Sequence, residues 1–269
     1  MNQEALNMAK SEKTEVSVAG STAVATVASF EEDAIASGFG DMGADDLALP
    51  FLKILTNMSP QIGEVEGAAP GMLYNSVTGE VYDGKKGVVV VPCAYVRQYI
   101  EWAPRGSGSG APVAIHPATS DILTRTHREP GDSKDYLENG NYVENTANHY
   151  VMLVDKEGGY SHALISMKST QLKKSRKWNS MMMSVKLDGK NGKFTPPMYS
   201  QQYRLTVVQE QKDQYKWHGW EIERVGTIED AYLYGAAKSF AESINAGDVN
   251  VKHENEDSSS KSSGDHDVF

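Results

Sequence analysis

The chain has 269 residues, of which 39% are hydrophobic and 23% charged, a balance that excludes wholesale disorder and leaves room for one large domain or two small ones. No apolar run approaches the roughly 18 residues that cross a bilayer as a helix, since the most apolar stretch, residues 88–91, ends at Pro92. The lone Cys93 excludes an internal disulfide and a cysteine-based zinc site, and the N-terminal residues lack the apolar core of a secretory signal, so a cytoplasmic location with no membrane partner is expected.

Net charge is −10, and it is unevenly placed. Residues 1–50 hold two lysines against nine acids, and residues 245–269 hold two lysines against six acids. The stretch between them has 22 basic and 21 acidic residues, and within it residues 168–193 carry eight basic side chains against Asp188 alone. That is a polyanion-sized signal inside an acidic protein.

In chain order, residues 1–30 read as a disordered lead-in with no helical stripe. Residues 45–56 form an amphipathic piece interrupted by Pro50, either a helix or a buried extended segment. Residues 71–82 predict a hairpin about the turn-rich joint 76–79. A long Val-, Tyr- and Ile-rich strand covers 88–102, with Pro92 marking a bulge or edge point. Its period-two pattern puts Val96, Ile100 and Trp102 on one face and Tyr95, Arg97 and Tyr99 on the other. Residues 104–148, rich in Gly, Pro, Ser, Asp and Asn, read as an insertion. Strands at 149–155 and 160–166 follow, joined by a Gly158-Gly159 turn, then a helix over 169–187, a loop over 189–197, and an antiparallel pair at 199–209 and 215–225. A Thr227-x-x-Asp230 start and apolar residues at helical spacing predict a last helix over 227–245, stopped by Gly247.

Strand, strand, strand, helix, strand, strand is the order of an oligonucleotide/oligosaccharide-binding (OB) barrel, although other antiparallel α+β arrangements accept the same elements. The expected fold is therefore mainly β (α+β): an OB-like antiparallel Greek-key barrel with an inserted basic helix, a C-terminal helix and disordered termini. The domain would span 31–246, with the insertion at 104–148 and a disordered acidic tail at 247–269.

Enzymatic signatures are missing. Gly106, Gly108 and Gly110 lack the following helix and distant acid of a dinucleotide site, the Gly-Lys pair in 189–194 lacks the spacing of a phosphate loop, and the seven histidines form no metal-binding motif. Asp121, Asp132 and Asp135 read as solvated loop acids rather than the pair a metal-dependent nuclease needs. No catalytic residue, metal site or cofactor is assigned.

The binding signals are stronger. Lys168, Lys173, Lys174, Arg176 and Lys177 lie together with no acid among them, an arrangement suited to phosphates. Trp178 follows them and either stacks on a base or belongs to the core. Tyr95, Arg97 and Tyr99 on one strand face, with Tyr215 and Trp217 on the closing pair, supply rings for sequence-tolerant stacking; Trp220 and Ile222 take the opposite face. The Ser-rich tail ends with Asp265, Asp267, Val268 and Phe269, an aromatic and carboxylate docking epitope.

These features resemble the single-stranded DNA-binding proteins of bacteria and short-tailed phages. The segment Asp46-Leu47-Ala48-Leu49-Pro50-Phe51-Leu52-Lys53, followed by Ser59-Pro60, Gly71, Asn75 and Gly79, also resembles the opening of uncharacterised phage proteins of replication gene clusters. The resemblance implies a non-enzymatic protein that coats single-stranded DNA in phage replication or recombination and recruits partner enzymes through Asp265, Asp267, Val268 and Phe269. A homo-oligomer is compatible with this reading. The rival class is a virion structural or assembly protein that binds no nucleic acid.

Overall fold

Period-two alternation in the Val-, Tyr- and Ile-rich runs yields strands whose two sides both find apolar partners. The computed structural model, which describes residues 48–104, 106–107, 110–249, 251 and 253, builds them into one antiparallel sheet. All of these residues fall in the unit Gly43–Phe269. The lead-in at 1–30 and the tail residues Asp265, Asp267, Val268 and Phe269 lie outside the described residues.

A small sheet of β1 (Leu52–Ile54), β2 (Leu73–Asn75) and β3 (Val81–Tyr82) comes first. Then follow β4 (Val88–Trp102), β5 (Ala114–Pro117), β6 (Asp135–Tyr136), β7 (Tyr142–Val154) and β8 (Tyr160–Lys168). Helix α1 (Leu172–Ser184) leads to a hairpin of β9 (Leu187–Gly189) and β10 (Gly192–Phe194). The chain closes with β11 (Gln201–Lys212), β12 (Tyr215–Thr227) and α2 (Ala231–Ala246).

Among the described residues the fold is mainly β with two α-helices. Its five long strands stand side by side in the order β12, β11, β4, β7, β8, while β5 and β6 extend the far ends of β4 and β7. Pro92 does interrupt the ladder: the register of β4 against β7 shifts between Pro92 and Ala94.

Among the described residues β8 and β12 do not pair, so the expected barrel does not close, and the reason is local. The free edge of β8 is taken by the preceding chain, with Leu164 N donating to Pro50 O at 2.8 Å and Phe51 bridging Leu164. The free edge of β12 is capped by the Gln171 amide, which donates to His218 O at 3.2 Å and accepts from Trp220 N at 3.2 Å. That side chain substitutes for a strand, satisfying two backbone groups that a closing neighbour would otherwise need.

Each sheet face packs a helix. On one, Val90, Val151, Ile165, Tyr203, Leu205 and Trp220 bury Trp178 and Met182 of α1, with Leu52 and Leu73 of the small sheet. On the other, Val91, Cys93, Tyr150, Met152 and Leu164 receive Leu233, Ala237, Phe240 and Ala241 of α2. The small sheet comes close because Gly84 and Gly87 carry no Cβ, which would collide with the carbonyl oxygens of Gly71 and Leu205. Asp230, not Thr227, caps α2, accepting from Tyr232 N and Leu233 N, and Gly247 ends it at φ 84°.

Two sequence boundaries need correction. Residues 142–148 belong to β7 rather than to the insertion, because they continue its ladder with β4. The segment expected as a loop at 189–197 contains the turn and all of β10 of the β9–β10 hairpin, where Gly192 pairs with Gly189. The shortened insertion is held down by Glu101, which accepts from Asn141 Nδ2 at 2.6 Å and pairs with His116 Nε2 at 3.0 Å. It also covers Tyr99, Ile122 and Val143.

His149, wholly buried on β7, stacks on Trp178 with ring centroids 4.5 Å apart, and its Nε2 meets Ser175 Oγ at 2.8 Å. Burial holds its pKa down at about 3 against an ordinary 6.5. Between those values the unfolded chain binds a proton that the native chain refuses. Stability is therefore full above pH 6.5 and falls as pH drops toward 3, by about 1.4 kcal/mol per pH unit for this one group. The lowered values of His162 and His253 act in the same direction. Urea unfolding between neutral and mildly acid pH should show this decline, and His149→Phe should remove its share of the slope; an unchanged slope would mean that His149 charges without unfolding.

Candidate nucleic-acid interface

Helix α1 is oriented by the stripe it buries. Ser175, Trp178 and Met182 face the sheet, which turns Lys173, Arg176, Ser180 and Met183 outward as a second stripe at three- and four-residue spacing. Trp178 is therefore core: it is 0% exposed, lies against His149 and meets Tyr203 edge-on at 5.8 Å. No face of its ring is left for a base.

The remaining residues singled out from the sequence separate into three places. Tyr95, half-buried, packs on His149 at 5.0 Å and extends the same internal row of rings. Tyr99 is 6% exposed beneath the insertion, and Arg97 reaches from solvent to its hydroxyl at 3.1 Å and to Asn145 Oδ1 at 3.0 Å. Tyr215, 67% exposed, projects at the tip of the β11–β12 hairpin, while the half-buried Trp217 donates its Nε1 to Glu210 at 2.9 Å.

Much of the basic cluster has counter-ions within the fold. Lys174 Nζ lies 2.8 Å from Glu210 and 3.2 Å from Glu221, Lys177 Nζ lies 2.7 Å from Glu221, and Lys168 Nζ lies 3.3 Å from Glu144. Burial alone would lower the Lys174 pKa, but the hydrogen bonds it donates to the two carboxylates raise it above the ordinary lysine value. The carboxyls shift reciprocally, Glu210 held down chiefly by Lys174 and Glu221 chiefly by Lys177. Glu210 and Glu221 arrive from β11 and β12, the latter 47 residues along the chain from Lys174, so the local sequence around α1 shows only the cations.

Lys173 and Arg176 are exposed and meet no carboxylate among the described residues. The outward stripe continues through Met183, 67% exposed, toward the hairpin, where Lys186 bonds the Met183 carbonyl and the Thr195 hydroxyl, and Lys190 is exposed and meets no acid among the described residues. Lys193 pairs with Asp188 at 2.9 Å, fully in solvent. Phe194 is 47% exposed, and its ring lies over Gly189, where a Cβ would approach Cδ1 to 3.0 Å. An exposed aromatic is thus held in place beside cations, and the sequence reading, which took this stretch as a loop, passed it over.

Cations in the first turn also oppose the helix dipole, and α1 has no acid there and no base in its last turn. Charge so arranged does not serve the helix itself. Among the described residues no helix is long and apolar enough to cross a membrane, and no group of three or more His, Cys, Asp and Glu side chains is placed to hold a metal.

A family model described as Pam3 phage gp34-like protein matches residues 18–250. No curated protein and no solved structure matches the chain.

The two kinds of lysine on α1 should differ in stability. Lys174→Met removes the cation from Glu210 and leaves Glu221 with Lys177 alone, and should cost about 1–2 kcal/mol, between the values for exposed and buried pairs. Lys173→Met should change stability by less than about 0.5 kcal/mol. Urea unfolding of both variants checks this, and equal effects would show that the Glu210 and Glu221 pairing does not hold the helix.

Proposed function

We propose that this chain, which belongs to the Pam3 phage gp34-like protein family, is a non-enzymatic single-stranded DNA-binding protein that contacts its ligand through the outward face of α1 and the β9–β10 hairpin. One observation carries this reading. After the fold has matched Lys168, Lys174 and Lys177 with its own carboxylates, Lys173, Arg176, Lys186 and Lys190 still lack one among the described residues, and the exposed Phe194 stands on the hairpin that carries Lys190, next in sequence to the Thr195 that Lys186 bonds. Phosphates would neutralise those cations with release of counter-ions, and a fixed ring stacks only on a base that is not already stacked in a duplex. The order of the five long strands, open between β8 and β12, is consistent with the partly open Greek-key architecture that binds oligonucleotides elsewhere.

On this reading the protein coats and protects single strands during phage replication or recombination. Partner enzymes are recruited through Asp265, Asp267, Val268 and Phe269. Deleting residues 265–269 should leave DNA affinity intact and abolish partner capture.

The direct test is anisotropy of a fluorescent oligo-dT and of its duplex at two salt concentrations. Binding should favour the single strand and weaken with salt. The variant Lys173→Gln, Arg176→Gln, Lys186→Gln, Lys190→Gln should lose most affinity and flatten the salt dependence while unfolding normally, and Phe194→Ala should cost about 1–3 kcal/mol. Stable oligomers with no oligonucleotide response at low salt would instead favour a virion assembly protein.

A further inference from the structure

The seat of α1 on the sheet buries more polar chemistry than the chain itself pairs. Trp178, His149 and Tyr203 form a contiguous group of rings, the indole centroid lying 4.5 Å from that of the imidazole and 5.8 Å from that of the phenol. All three residues are 0% exposed. His149 Nε2 meets Ser175 Oγ at 2.8 Å, yet among the described residues His149 Nδ1, Trp178 Nε1 and the Tyr203 hydroxyl have no hydrogen-bond partner. One turn of α1 beyond Ser175, Asn179 Oδ1 is likewise buried without a partner.

Buried polar atoms in native proteins are nearly always paired, and one left unpaired lowers the folding equilibrium by about tenfold. Three of them on touching rings, at the place where the helix is anchored, call for a shared partner. The indole N–H only donates, whereas the phenol hydroxyl can donate or accept and the imidazole does one or the other according to its tautomer. Burial holds the His149 pKa down at about 3, so that ring enters the group neutral. An ion of either sign would be stripped of its hydration with no counter-charge from these rings, and an apolar molecule would pair none of the three atoms.

We propose that the seat of α1 binds internal water, which accepts from Trp178 Nε1 and extends to His149 Nδ1 and the Tyr203 hydroxyl. Water is the smallest neutral molecule that both donates and accepts twice, and a buried water typically makes about three hydrogen bonds to groups of this kind. The helix is then fixed to β7 and β11 by solvent as well as by its apolar stripe. This inference stands apart from the single-strand reading, since Trp178, His149 and Tyr203 are all wholly buried and none of them belongs to the outward face of α1.

Water-to-protein NOE and ROE spectra of the full chain test it. The Trp178 indole proton should show a contact at the water frequency, with the NOE sign of a molecule that tumbles with the protein. The contact should persist in Tyr203→Phe, which removes proton exchange through that hydroxyl as its source, and in the four-glutamine variant of α1 and its hairpin. Tyr203→Phe should also lower the folding equilibrium constant, read by urea unfolding, by about threefold to tenfold, because a bridged hydroxyl is lost. Removing a hydroxyl that has no partner at all would instead raise that constant. Absence of the indole contact, its loss in Tyr203→Phe, or a folding constant that is unchanged or raised in that variant overturns the proposal.

Discussion

The seating of Trp178 against His149 sets the geometry on which the proposed interface depends. A helix has only one angular freedom once a residue is locked beneath it. With the indole wholly buried between β7 and β11, the 3.6-residue period leaves Lys173, Arg176 and Met183 no choice but solvent. The same rotation carries Lys174 and Lys177 toward β11 and β12, where Glu210 and Glu221 wait. Truncation of a side chain as large as Trp178 costs about 3–5 kcal/mol in a packed core, far more than any single exposed charge contributes, so the apolar stripe decides where the charges go.

The arrangement of β8 and β12 follows from the same region. Gln171, one residue before α1, caps β12, while Pro50 and Phe51 occupy β8. Each satisfies backbone groups that would otherwise demand another strand, and so the sheet stays open with its two edges protected. An open sheet has two usable faces. One is covered by α1 and the small sheet, the other by α2, and the latter covering leaves an open aromatic groove beside the start of β8.

Charge in this chain is sorted rather than averaged. Acids dominate the ends, whereas the middle is nearly neutral and concentrates its cations in residues 168–193. Ion pairing then removes part of that excess and reveals the rest: Lys168, Lys174 and Lys177 meet carboxylates of the fold, whereas Lys173, Arg176, Lys186 and Lys190 meet none among the described residues. The distinction is invisible in a charge count, because both groups come from the same run.

Local physical chemistry explains what could be read from the chain before folding. Val88 to Trp102 is β-branched and aromatic with a proline where the ladder must bulge, and the α2 pattern is apolar at helical spacing and stopped by Gly247, so these elements follow from their own residues. The mainly β, α+β class follows in turn, as does the presence of a basic helix. What tertiary structure decided was every question that joins distant segments: the pairing of Gln171 with β12, the burial of Trp178 and Tyr99, the arrival of Glu210 and Glu221 beneath Lys174, and the placing of Phe194 over Gly189. A lone residue carries its hydrophobicity and charge in the sequence, but whether a ring faces water or a lysine faces an acid depends on which other element packs against it.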